Sequence, residues 1–187
     1  GRLHHVPVWY GKETGADFDA VCRHHAIDAK TLIHLHTKPE YLVTAIGFVP
    51  GFPYLEGLPK RLETPRLATP RRRVPVGSVG IGGSQTGIYP FETPGGWHLI
   101  GRTDATFFDP MSSSPALLQP GDRVRFYETN HANTQHDHTA TVALKCVTSK
   151  DMTILEPGLM TTVQDLGRSG FRSSGVPHSG AADPISA

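Results

Sequence analysis

Apolar positions along this chain fall mostly in short runs separated by turn residues. Residues 6–10 (VPVWY) form such a run and read as an entering strand. Two short helical patterns follow. Asp17 stands where it can cap the first, with Phe18, Val21 and Cys22 on one face. Asp28 stands where it can cap the second, which carries Leu32, Ile33 and Leu35 and runs out near His36 and Thr37 before Pro39. Residues 41–46 (YLVTAI) are rich in branched and aromatic side chains, the pattern of a strand. From Gly47 to Gly101 the text changes. Gly and Pro recur every few residues, which excludes long helices. Short strands are expected at residues 78–81, 87–89 and 97–100, with residues 106–108 continuing the pattern. Residues 117–122 (LLQPGD) read as a turn before an alternating strand at 123–127 (RVRFY). The fold predicted is mainly β, a compact barrel or sandwich with two small helices.

Beyond it, residues 128–142 are polar and are expected to be a linker. Residues 143–147 and 152–155 look like strands of a second, incomplete β unit over 143–187. The expected first domain is then residues 1–127. The chain opens at Gly1 without a Met, and it is expected to be a piece of a longer polypeptide.

Composition sharpens this picture. Twenty Gly and 16 Pro in 187 residues oppose a helical bundle. A formal net charge of +1 removes bulk electrostatics as a means of holding nucleic acid or an anionic membrane. No run of 18 apolar residues offers a transmembrane helix. Cys22 and Cys146 make no disulfide framework and fit a reducing cytoplasm.

Candidate chemistry is concentrated in the barrel text. His34 and His36, two apart on a helix, point to different sides and cannot chelate together. His136 and His138 could chelate only in an extended loop, so no metal site is expected. The run Gly80-Ile-Gly-Gly-Ser84 could form an anion-binding nest, but a tight barrel turn explains it more simply. Between Lys60 and Arg73 lie six basic residues and one acid, Glu63, stiffened by prolines and without interleaved aromatics. That disfavours nucleic acid and suits a phosphate or carboxylate, or simply a solvated face. Residues 93–103 (TPGGWHLIGRT) are the most suggestive. In regular extended chain His98 and Arg102 share one face, roughly 13 Å apart. They could be a proton carrier and an anion clamp, or decoration on a barrel surface.

A resemblance rests on five motifs in order. They are Gly47-Phe-Val-Pro-Gly-Phe-Pro-Tyr-Leu55, then Pro70-Arg71 with Val74-Pro-Val-Gly-Ser-Val79, then Gln85-Thr-Gly-Ile-Tyr-Pro90. Pro94-Gly-Gly-Trp97 with Gly101-Arg-Thr103, and Pro120-Gly-Asp-Arg-Val-Arg-Phe126, complete the set. The chain from about Val6 to Tyr127 resembles subunit 1 of allophanate hydrolase. This is the KipI-type family, which includes the B component of 5-oxoprolinase, and it is a carboxyltransferase C/D unit. Residues 155–170 and 175–183 are similar to the opening of its partner, the KipA-type subunit 2, the C component of 5-oxoprolinase.

The resemblance implies a cyclophilin-like β-barrel packed against a subunit 2/C-type barrel, with the substrate cleft between them. It implies an ATP-dependent hydrolase of a small lactam or urea derivative, foremost 5-oxoproline, working with a third 5-oxoprolinase subunit and using ATP with Mg. The alternatives are the carboxyltransferase of urea carboxylase and a KipI-like inhibitor of a sensor kinase. The usual N-terminal α+β domain and nearly all of subunit 2 are missing from this sequence, so the fragment alone is expected to be inactive. The matched motifs offer His98 and Arg102 as catalytic groups. They offer Arg71, Arg72, Gln85, Tyr89, Thr103, Gln164, Asp165 and Arg168 for substrate or phosphate.

Overall fold

The structure, a computed structural model, describes residues 1–130 together with Gly170 and Gly175. The chain opens with β1 (Leu3–Tyr10), then α1 (Phe18–His24) and α2 (Ala29–Thr37). It continues through β2 (Tyr41–Ile46), β3 (Pro53–Glu56), a 3-10 turn (Lys60–Leu62), β4 (Arg71–Val74) and β5 (Ser78–Gly82). The last strands are β6 (Gln85–Ile88), β7 (Thr93–Gly95), β8 (His98–Arg102) and β9 (Arg123–Glu128). Seven strands close a barrel in the order β1-β8-β5-β6-β3-β2-β9, and β9 lies parallel to β1. Closure satisfies the backbone of every strand without a free edge. The remaining two, β4 and β7, pair as a separate ribbon.

The expected elements are mostly where the patterning put them. In β9, Val124 and Phe126 are buried while Arg123, Arg125 and Tyr127 are exposed, the alternation expected of a barrel wall. The Asp28 carboxylate caps α2 by accepting from the Thr31 N–H at 2.7 Å. Two expectations fail. Asp17 occupies the N-cap position of α1, but its side chain makes no capping bond, because both oxygens are engaged elsewhere. Residues 106–108 form no strand, since Phe108 makes only an isolated bridge to Ala116. The expected linker beyond residue 130 and the second unit, with Cys146, His136 and His138, lie outside the described residues.

The hydrophobic interior has two parts. The larger joins the inward face of the barrel to the helices, with Val8, Leu32, Val43, Leu55, Ile81, Ile100 and Phe126 among its members. The smaller lies on the outside of the wall and holds Phe52, Val74, Tyr89, Trp97 and Leu99. Both faces of β5 are therefore buried, which explains a strand with no exposed residue.

A bulge in the wall between the two cores decides which residues of β8 face each of them. Val79 pairs with Gly101 and Gly80 with Leu99, so β8 carries one extra residue, Ile100, opposite β5. Leu99 consequently faces the outer cluster and Ile100 the inner one. Trp97 packs on the outer face against two glycines. A Cβ at Gly82 would sit 2.5 Å from the indole Cδ1, and one at Gly87 3.0 Å from its Cζ3. Any larger residue at Gly82 would displace the ring.

Candidate active site

The outer cluster is hollow. A pocket of about 300 Å³ opens between the loop after β2, the segment before β4, and the β7–β8 turn. Its walls are aromatic: Phe48, Phe52, Tyr54, Tyr89 and Trp97. They meet edge to face, with Phe52 at 5.5 Å from Trp97, 5.1 Å from Tyr89 and 5.5 Å from Phe48, centroid to centroid. Leu67, Pro70, Pro94, Gly95 and Gly96 complete the rim. Such geometry fixes the rings against one another and leaves their faces for a ligand.

Phe48 is held in an unusual way. Its φ is 66°, in the left-handed region that a bulky residue avoids, and its side chain is 58% exposed. Strain of this kind persists where the surroundings impose it, and it collects at binding sites. Here the turn over Gly47–Phe52 imposes it, through Val49 N–H to Gly47 O and Phe52 N–H to Val49 O.

Polar groups at the pocket are few. The Tyr89 hydroxyl is buried, and burial pushes its pKa up. A hydrogen bond with the Trp97 backbone and the nearby Arg66 and Arg71 guanidiniums oppose that rise. Arg66 lies with its guanidinium 5.8 Å from the Trp97 ring centroid, a cation–π arrangement. Arg71 does not line the pocket. Its guanidinium pairs with Asp17 at 2.5 Å and donates to the Trp97 carbonyl. The other oxygen of Asp17 accepts from the Leu99 N–H at 2.7 Å. One carboxylate thus ties α1, β4 and β8 together behind the pocket.

The other expected site residues are dispersed. His98 pairs with Ile81 and Arg102 with Ser78. Ser78 and Ile81 are three apart on regular β5, so the two stand on opposite faces, and the expected shared face of His98 and Arg102 does not exist. The bulge at Ile100 is the reason. His98 donates from Nε2 to Pro65 O at 3.0 Å, and its buried Nδ1 has no partner. Neither His98 nor Arg102 lines the pocket. Arg72 is exposed on β4, and Gln85 starts β6 opposite Gly82 and Glu56. Thr103 is buried, its hydroxyl accepting from the Ala105 N–H. Among the described residues only Tyr89 of the expected set lines the pocket; Arg71 braces it. Gln164, Asp165 and Arg168 lie outside the described residues.

The Gly-rich run forms the end of β5 and its turn into β6. Gly80 and Gly82 lie in β5 against Trp97, and Gly83, with φ 63°, turns the chain into β6. Phe48, Phe52, Tyr54 and Trp97 were not foreseen as site residues, and Arg66 was foreseen only as one member of the basic run. The signal for the first three was present as the density of aromatics in residues 47–55, and Arg66 was hidden within a run of charge.

Residues 1–118 match the family described as carboxyltransferase domain, subdomain C and D. The chain belongs to this family. Among carboxyltransferase-family relatives, it is 55% identical over 126 residues to the B component of 5-oxoprolinase from Haemophilus influenzae, covering 67% of this chain and 59% of that protein. It is 47% identical over 125 residues to the B component of 5-oxoprolinase from Bacillus subtilis, covering 67% of this chain and 52% of that protein. The chain therefore spans somewhat over half the length of these relatives. The crystal structure of TTHA0988 in space group P6522 superposes with a TM-score of 0.78 at 38% identity. That match covers 96% of this chain and 37% of the other. No helix among the described residues is long and apolar enough to cross a membrane.

Proposed function

We propose that this carboxyltransferase-family chain is the B-type part of an ATP-dependent hydrolase that opens a small lactam, 5-oxoproline, to the open-chain amino acid, and that the aromatic pocket receives the ring. The pocket is the observation that carries the reading: a cavity sized for one ring, walled by five aromatic side chains. The identity to proteins named as the B component of 5-oxoprolinase supports the choice of substrate.

The chemistry suits such a division of labour. A lactam carbonyl is a weak electrophile. Transfer of the γ-phosphoryl group of ATP to its oxygen, with Mg neutralising the phosphates, creates a leaving group. Water then adds to the carbonyl carbon and the C–N bond breaks. The nitrogen takes a proton, and a second water hydrolyses the acyl phosphate so formed to the carboxylate and phosphate, with ADP as the other product. Aromatic walls hold the ring and exclude bulk water from the activated carbonyl. On this reading the nucleotide is held by a companion unit, since the aromatic pocket is sized for a single ring. That unit is a C-type subunit, whose opening the segment after residue 142 resembles, or a third subunit of the assembly.

The test is ATP hydrolysis by the complete assembly containing this chain, with and without 5-oxoproline. Stimulation by 5-oxoproline, lost in Trp97→Ala, is expected. An assembly whose ATPase ignores 5-oxoproline sinks the reading.

A further inference from the structure

The guanidinium of Arg66 is the feature that the pocket's aromatic walls do not explain. Four arginines among the described residues are paired with carboxylates: Arg71 with Asp17, Arg73 with Glu92, and Arg123 and Arg125 with Glu40. Arg66 has no carboxylate partner among the described residues, yet it is held at the pocket wall over Trp97. A guanidinium held over an indole face by its charge leaves its N–H groups available to a ligand. Among the described residues no acidic side chain lines the cavity. The pocket thus combines an apolar slot, a phenol at Tyr89 and one uncompensated positive charge at its wall.

We infer that Arg66 is a specificity-determining residue that selects ligands carrying a carboxylate on a small ring. The ring lies among Phe52, Tyr89 and Trp97, and the carboxylate meets the N–H edge of Arg66. A neutral ring of the same shape gains the apolar contact alone. A charge-assisted bond to a carboxylate adds discrimination of roughly tenfold to a hundredfold. At about 300 Å³ the pocket is at the small end of ligand cavities, room for a monocycle and its substituent and not for a nucleotide. This inference deepens the lactam reading, and its charge selection can be tested apart from it.

The experiment follows the Trp97 indole N–H resonance during titration of the chain with 5-oxoproline, with 2-pyrrolidinone, which is the same ring without the carboxylate, and with benzoate. Expected is 2-pyrrolidinone binding at least about tenfold more weakly than 5-oxoproline. Arg66→Gln should abolish that difference while leaving the rest of the amide spectrum in place, because the side chain is exposed and carries no ion pair of the fold. Equal affinity for the two lactams, an unchanged preference in Arg66→Gln, or no binding of any of the three probes would overturn the inference. Arg66-dependent binding of benzoate without binding of 5-oxoproline would uphold the anion selection and remove 5-oxoproline as the substrate.

Discussion

His36 shows how one side chain can join a helix to a barrel. It is fully buried, with Nε2 at 2.9 Å from the Thr86 hydroxyl and Nδ1 at 2.7 Å from the Tyr10 hydroxyl. Thr86 donates its only proton to the Gly80 carbonyl, so it must accept from His36. The proton therefore sits on Nε2, and Nδ1 accepts from Tyr10. The ring stacks on Phe126 at 4.7 Å. Burial holds its pKa down at about 3, from an ordinary value of 6.5. Below pH 6.5 the unfolded chain binds a proton that the folded chain refuses. Stability contributed by the neutral ring is thus complete above pH 6.5 and is lost as pH falls toward 3, at up to about 1.4 kcal/mol per pH unit. Urea unfolding at pH 7, 5.5 and 4 should show this loss, and His36→Gln should flatten it. Parallel pH profiles for the two proteins would refute the assignment.

The turn carrying the pocket's largest ring is governed by its neighbours' missing side chains. Trp97 lies where Gly82 and Gly87 leave space on the outer face of the β5–β6 hairpin. Gly82→Ala would place a methyl group 2.5 Å from the indole. Overpacking of that kind costs about 1–3 kcal/mol. The ring would turn out of the cluster, so the variant should unfold at lower urea, show red-shifted tryptophan emission and lose the 5-oxoproline-induced shift. A variant of unchanged stability and emission would show that the hairpin yields instead. The strands were largely legible in the sequence as elements, because alternation and turn residues are local signals. The extra residue in β8 was not. Period-two reasoning assumes an unbroken ladder, and a bulge is decided by the partner strand, so His98 and Arg102 were set on one face and are found on two.

Across the whole molecule, the Asp17 carboxylate links the helical layer, the β4–β7 ribbon and the barrel wall. Only 11% of its side chain is accessible, and that of Arg71 is 27% accessible. Removing one member of a buried ion pair leaves the other uncompensated and costs about 3–5 kcal/mol, less as solvent reaches Arg71. Asp17→Ala should therefore release the ribbon before the barrel. Hydrogen exchange should speed up over Arg71–Val74 and Thr93–Gly95 while Val124 and Phe126 in β9 stay protected. Loss of protection at both places together would mean that ribbon and barrel form one cooperative unit.

Whatever depends on neighbours along the chain could be read without the fold. Asp28 caps α2 because its carboxylate reaches an N–H three residues on. The strands form where branched and aromatic residues alternate between Gly and Pro turns, and the motif order identifies the family. Whatever depends on groups far apart in sequence was settled by folding. Asp17 looks like a cap, yet it is claimed by Arg71, 54 residues away, and by the Leu99 N–H, 82 residues away, because an ion pair and a buried amide bind its oxygens more strongly than a helix end can. The pocket, too, exists only once residues 48–54, 66–70, 89 and 94–97 converge outside the barrel wall. Its shape is set by rings packing on rings across the closed sheet, and no local pattern encodes that distance.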